Sequence, residues 1–256
     1  MANINFKILK ASLIGAKIRK PLSGTLSGHA AGEPFDKLVY SEIKKQFPEK
    51  TYRQFEYLND LYSKNPTKIS LADKQNLFDS PTAMFLLSRG KDATTKWEVD
   101  NRFEEKQNDT ADVIVVDNNY YEIIDVKTRN VSKSAQPPNI ISAYKLAQMC
   151  ALMLDNKEFK TLGINYIEIE WRLVDDNLVC ENVHTGNLFN EKPSNLYINW
   201  AAAMQIQFHV SYLKQDYPYG TEAWARDYLY HFVSEAKRRA KTMVTKFVKP
   251  FEKYLK

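Results

Sequence analysis

Two runs of β-branched and aromatic residues, Val113-Ile-Val-Val116 and Tyr120-Tyr-Glu-Ile-Ile124, flank an Asp117-Asn-Asn119 break. Such a pattern reads as strand, tight turn, strand. Strand side chains alternate, so Tyr121, Ile123, Asp125 and Lys127 share one face, and Glu122, Ile124 and Val126 the other. Asp112 stands at the start of the first strand. Two carboxylates and an ammonium at the end of apolar strands are costly to bury without compensation. A hard divalent cation bridged by the carboxylates, with the lysine beside a bound water, supplies that compensation. It is also the arrangement a metal-dependent phosphodiesterase needs. An Asp followed thirteen residues later by Asp-x-Lys also arises by chance, and Asp125 with Lys127 reads equally as an exposed ion pair of little consequence.

The chain has 256 residues, 44% of them hydrophobic, enough to bury a sizeable core in one large domain or two small ones. No internal repeat or Pro/Gly/Ser linker divides it, so a single domain over residues 1–256 is expected. No apolar run approaches the ~20 residues that span a bilayer, and the start lacks the pattern of a secretory signal. Cys150 and Cys180 are the two cysteines, without zinc-ligand spacing, and read as buried thiols. A cytoplasmic location is expected. Net charge is +5 but uneven: residues 237–256 hold eight Lys or Arg against one Glu, a tail of +7, leaving −2 elsewhere. That tail is either a solvated helix face or an attractor for a polyanion.

Apolar spacing at Ile4, Ile8, Leu9, Leu13, Ile14 and Ile18 predicts a helix over residues 3–19, broken near Pro21. Glu33-Pro34 opens a second helix with Phe35, Leu38, Val39 and Ile43 on one face. Residues 52–87 read as helical stretches punctuated by Pro66 and Pro81, and Ser88-Arg-Gly-Lys91 as a basic turn. Residues 128–139, with Pro137-Pro138, read as a loop, and Ser142 to Leu154 as a helix. Ile164 to Leu173 alternates as a half-exposed strand with Ile167, Ile169, Trp171 and Leu173 inward. A long helix runs from Thr221 towards Lys249 and ends before Pro250. Helices around a central sheet give an α/β or α+β fold.

Three of the eight glycines fall between Gly24 and Gly32, yet Gly-Lys-Ser/Thr is missing, so this is not a nucleotide-binding loop of that type. It serves as a structural turn or, through Thr25, Ser27 and backbone amides, as a close approach to a DNA backbone. Glu33 complements a helix dipole or adds an acid near the metal. His29, His184, His209 and His231 lack partners at metal-ligand spacing and read as packing or surface. Glu168 and Glu170, beside Arg172, read as a solvated sheet face. No serine or cysteine hydrolase signature occurs. In Asn195-Leu-Tyr-Ile-Asn-Trp-Ala-Ala-Ala203, Tyr197 and Asn199 share a face if the segment starts as a strand. Asparagine suits adenine readout and alanine a thymine methyl.

Several long runs together resemble the HincII/HindII type II restriction endonucleases. They are Ser23-Gly-Thr-Leu-Ser-Gly-His-Ala-Ala-Gly-Glu-Pro34, Phe103-Glu-Glu-Lys-Gln-Asn-Asp-Thr-Ala-Asp112, Asp125-Val-Lys-Thr-Arg-Asn130, Asn139-Ile-Ile-Ser-Ala-Tyr-Lys-Leu-Ala-Gln148 and Tyr197-Ile-Asn-Trp-Ala-Ala-Ala-Met-Gln-Ile-Gln-Phe-His209. The resemblance implies a restriction-endonuclease-like PD-(D/E)xK fold, a mixed β-sheet flanked by helices. It further implies a homodimer, Mg²⁺ dependence and blunt cleavage of duplex DNA at GTYRAC. A cognate DNA methyltransferase would be a functional companion and not a bound subunit. The family's acids match Asp112 and Asp125, its lysine matches Lys127, and the Val126 carbonyl would be a further metal ligand. Ala111 replaces the proline that names the motif. The intercalating glutamine falls on Gln136 and the neighbouring groove reader on Asn139. Major-groove readers fall near Tyr197 and Asn199, with Lys91 as a further DNA contact; Arg129 on the strand after the lysine, and Thr25 and Ser27 of the glycine-rich loop, are expected to bind DNA beside them.

On this reading water attacks the phosphate in line, the acids hold Mg²⁺, and Lys127 orients or activates the nucleophile, its pKa lowered beside the metal. Two other classes stay open: a non-catalytic sequence-specific DNA-binding protein, and a repair nuclease with the same metal chemistry.

Overall fold

The computed structural model describes residues 4–20, 29–88, 109–134 and 136–255. In chain order the elements begin with α1 (Phe6–Leu13), β1 (Lys17–Arg19), α2 (His29–Gln46), β2 (Thr51–Tyr52), α3 (Gln54–Leu61), α4 (Leu71–Phe78) and α5 (Pro81–Leu87). Next come β3 (Val113–Asp117), β4 (Tyr120–Asn130), β5 (Asn139–Ser142), α6 (Ala143–Asn156), β6 (Leu162–Val174) and β7 (Asn177–Asn187). β8 (Tyr197–Asn199), β9 (Gln205–Gln207), α7 (Gly220–Met243), a π-helical turn (Val244–Val248) and α8 (Lys249–Glu252) complete the list.

Six strands form the main sheet in the order β1-β7-β6-β4-β3-β2. All its pairs are antiparallel except β4 with β6, whose crossover carries α6, as a parallel pair requires. Helices cover the sheet on both faces, so β6, read from its alternation as half-exposed, is instead buried at every residue from Leu162 to Ile169 and opens to solvent only from Arg172 onward. One face packs on α1 and α2 through Leu9, Leu13, Phe35, Val39 and Ile43. The other packs on α3 to α7 and on a second, three-stranded sheet, β5-β9-β8. Each fully buried Leu, Ile or Phe contributes ~1.5–3 kcal/mol before its ordering entropy is counted.

Several boundaries differ from the sequence reading. The first helix stops at Leu13 because Gly15 takes a left-handed φ of +83° and its N–H donates to Cys180 O. Lys17–Arg19 then joins β7 as an edge strand. Pro34 lies inside α2, not at its start. Ile167, Ile169 and Trp171 are inward as expected, whereas Leu173 is 40% exposed. The helix expected to end before Pro250 instead passes through the π turn, and Pro250 occupies the first turn of α8, where a missing N–H costs nothing. A bulge opposite Glu170 and Trp171 shifts the β7 register. Leu178, Cys180 and Val183, which strict alternation would separate, therefore reach the same core. Both cysteines are buried free thiols. Among the described residues no helix is long and apolar enough to cross a membrane.

Candidate active site

The β3–β4 hairpin closes through Asn118 and Asn119, with Asn118 at φ 57°, a left-handed conformation asparagine tolerates. Just before β3 the ladder ends with Asp112 N–H donating to Ile124 O at 3.0 Å. The Asp112 side chain then continues the ladder: its Oδ2 accepts from the Val126 N–H at 2.6 Å. Helix α3 fixes the approach. The Arg53 guanidinium donates to Asp112 O at 3.2 Å, and Gln54 Oε1 accepts the Ala111 N–H at 2.9 Å. A proline at position 111 has no N–H to give. The departure from the family motif is therefore matched by a hydrogen bond that only a non-proline residue makes.

Asp125, 6% exposed, accepts from Lys127 Nζ on Oδ1 at 2.8 Å, while its Oδ2 is buried with no hydrogen-bond partner. Burial pushes the Asp125 carboxyl up to about 8, opposed by Lys127 and reinforced by Asp112. Burial pulls Lys127 down, but the carboxylates of Asp125 and Asp112 outweigh it and hold the ammonium above its ordinary value. The lowered lysine pKa expected beside a metal is thus not what the protein alone produces. Asp36, on α2, was missed by the sequence reading. Its carboxyl rises to about 8 through burial and then the Asp112 charge, against the lowering effect of Arg53, and its Oδ1 is buried without a partner. Its signal was helical: Asp36 lies three and seven residues before Val39 and Ile43, along the edge of the buried stripe. Glu33 pairs instead with Lys37 at 2.6 Å.

These oxygens are hard donors suited to a small divalent cation, and the orphaned Asp125 Oδ2 is the buried atom such an ion would satisfy. Among the described residues no three His, Cys, Asp or Glu side chains close into a metal cage. A cation here would therefore draw on a backbone carbonyl and solvent beside the two acids. Lys127 also lines a cavity of about 370 Å³ shared with Asn139, Lys145, Tyr166 and Gln205. Burial lowers the pKa of Lys145, whose Nζ donates to Thr110. A larger hollow of about 630 Å³, around Glu122 and Asn165, shares none of these residues.

A family model described as restriction endonuclease HincII matches residues 9–255. The chain belongs to the HincII restriction endonuclease family. Two relatives from Haemophilus influenzae, the type II restriction enzymes HindII and HincII, are each 57% identical over 250 residues, spanning 98% of this chain and 97% of theirs. The NlaIV restriction endonuclease structure aligns at 12% identity and a TM-score of 0.40, covering 98% of this chain and 85% of its own. As a HincII-family member the chain is a type II restriction enzyme, a site-specific deoxyribonuclease with the family's mixed sheet flanked by helices.

The HincII-family residues expected on the DNA side distribute as follows. Gln136 and Asn139 are exposed, in the loop after β4 and at the start of β5. Tyr197 is 62% exposed and Asn199 half-buried on β8. Arg129 is engaged by acids: it binds Glu170 and approaches Glu168 Oε1 at 3.9 Å. Thr25, Ser27 and Lys91 lie outside the described residues. Glu168 is no solvated surface residue, being 1% exposed, in register with Lys127. It pairs with His209 Nδ1 at 2.6 Å and accepts the Ser211 N–H at 3.2 Å. Sequence reasoning missed this pair because β6 and the segment after β9 meet only in the fold.

Proposed function

We propose that this restriction enzyme hydrolyses duplex DNA at the palindrome GTYRAC, leaving blunt ends, with Mg²⁺ as cofactor and as a homodimer. The observation that carries the reading is the convergence on one strand end of Asp112, Asp125 and Lys127, with Asp125 Oδ2 buried and unpartnered. Supporting it, relatives at 57% identity bear the names of type II restriction enzymes. Asp112, Asp125 and the Val126 carbonyl would hold the cation, which when bound polarises the phosphate and offsets charge on the leaving oxygen. Asp112, tied to the Val126 amide, keeps the two acids and that carbonyl in fixed relation. Lys127 balances the phosphate charge and orients the attacking water. Gln136 wedges a base step, Asn139, Tyr197 and Asn199 read base edges, and Lys91, Arg129, Thr25 and Ser27 contact the backbone. Two identical subunits present one centre to each strand of a palindrome. The test incubates plasmid with Mg²⁺ or with chelator and sequences the ends. Blunt GTY/RAC termini that appear only with Mg²⁺ support the reading; an intact plasmid with a salt-sensitive mobility shift overturns it.

A further inference from the structure

The exposed face of the β5-β9-β8 sheet is built of amides. Ile198 and Ile206 point into the core, so Tyr197, Asn199, Gln205 and Gln207 alternate outward. Gln207 stands in register with Asn139 on one side and Tyr197 on the other. It joins the two asparagines: Asn199 Nδ2 donates to Gln207 Oε1 at 2.9 Å, and Gln207 Nε2 donates to Asn139 Oδ1 at 2.8 Å.

A carboxamide chain of this kind is ordinarily reversible, because each amide can turn over and exchange donor for acceptor. Here it is anchored. Asn199 Oδ1 accepts the backbone N–H groups of Ala201 and Ala202 at 3.0 and 3.2 Å. A backbone N–H only donates, so the oxygen of Asn199 must lie at that end. Its NH₂ must then face Gln207, whose oxygen faces back and whose NH₂ faces Asn139. The order is set from the hairpin turn outward. Both lone pairs of Asn199 Oδ1 are thereby taken, leaving that residue one free N–H, and Asn139 is left with its NH₂ outward. Adenine readout by an asparagine needs a free acceptor and donor on one amide. Asn199 as held offers the donor alone.

We propose that Gln207 is a specificity-determining positioning residue, which fixes the amide polarity of Asn139 and Asn199 so that both present N–H donors to acceptor positions on base edges. This rests on the reading that these two asparagines contact DNA. Donors so held favour purine N7, guanine O6 or thymine O4 in the major groove, and N3 or O2 in the minor groove. They are opposed by the amino groups of adenine, cytosine and guanine.

The test uses the whole enzyme with Mg²⁺ on a set of duplexes carrying every single-base change in the site, reading kcat/KM for each. Gln207→Glu keeps the acceptor for Asn199 but has no proton for Asn139, whose amide turns over and offers its oxygen to DNA. The expected result is a changed order of preference at the base facing Asn139, by about tenfold or more. Gln207→Leu removes both bonds and flattens discrimination without reordering it. Asn199→Asp, approaching from the other end, reverses Gln207 and produces the same reordering opposite Asn139, which covers the case in which Gln207→Glu does not fold. An unchanged order in whichever of these acidic variants folds overturns the proposal, provided Asn139→Ala and Asn199→Ala do alter it. If those alanine variants also leave the order unchanged, the DNA-contact reading itself fails.

Discussion

Asp125 and Lys127 are two residues apart and therefore on the same face of β4, where an ion pair of 2.8 Å closes between them. The pair leaves one carboxylate oxygen buried and unsatisfied, an arrangement that costs stability and is retained where an ion or substrate completes it. Asp125→Ala or Lys127→Ala is expected to bind the cognate duplex in Ca²⁺ while single-turnover cleavage in Mg²⁺ falls a hundredfold or more, about the loss seen on removing one charge-stabilising group. Turnover within a few-fold of the parent would refute the assignment. A different acid governs a pH effect. Burial raises Glu122 to about 7, opposed by hydrogen bonds from Tyr120 and Asn165. A carboxyl whose folded pKa lies above its unfolded value binds its proton more tightly when folded. Its contribution is full below about pH 4.5 and is lost as pH rises through about 7. Thermal melts should show Tm declining across that window, and Glu122→Gln, which keeps the acceptor for Asn165, should shrink the decline.

At the level of elements, the hairpin supplies the site and the helices around it supply precision. Helix α3 holds the backbone at Ala111 and Asp112 through Gln54 and Arg53. Helix α7 braces the second sheet from behind: Trp224 Nε1 donates to Glu191 O at 2.7 Å, Tyr228 OH to Ala143 O at 2.9 Å, and Phe232 stacks on Trp200. The buried His209–Glu168 pair ties the segment after β9 to the strand beside Lys127. Removing one partner of such a pair is costly, because a buried polar atom of the other is left without its hydrogen bond. Helix α6 ends less favourably, with Lys157 in the left-handed region at φ 58°. Glycine adopts that conformation without strain. Lys157→Gly, at an exposed position, should raise stability by about 0.5–1 kcal/mol, read as a higher denaturant midpoint with an unchanged slope.

For the molecule as a whole, Lys127 and two amides of the second sheet, Asn139 and Gln205, open onto one cavity of about 370 Å³. On the function proposed above, a DNA-contacting asparagine and the lysine of the cleavage centre share the wall of this cavity. Phe247, Phe251 and Tyr254 are exposed along the basic C-terminal segment. The homodimer proposed above predicts a sedimenting mass twice the 29.7 kDa of one chain. It also predicts that supercoiled plasmid passes directly to linear product in one binding event. A 29.7 kDa species that nicks one strand at a time would contradict it.

Much was legible without coordinates, for local reasons. Alternation placed Asp112, Asp125 and Lys127 on a hairpin whose turn is Asn118-Asn119, and helical spacing found Phe35, Val39 and Ile43. Periodicity reports which face of an element is apolar, and those faces are buried. It carries no information on which distant faces meet. Asp36 beside Asp112, Glu168 against His209 and Gln207 against Asn139 are brought together across 76, 41 and 68 positions of chain. Glu168 looked solvated because a charged residue on an alternating strand normally is. It is buried because a histidine and a backbone amide brought by another segment satisfy it there. Sequence determined the chemistry available at each strand end; only packing decided which of those groups would be desolvated together, and desolvation is what makes them a site.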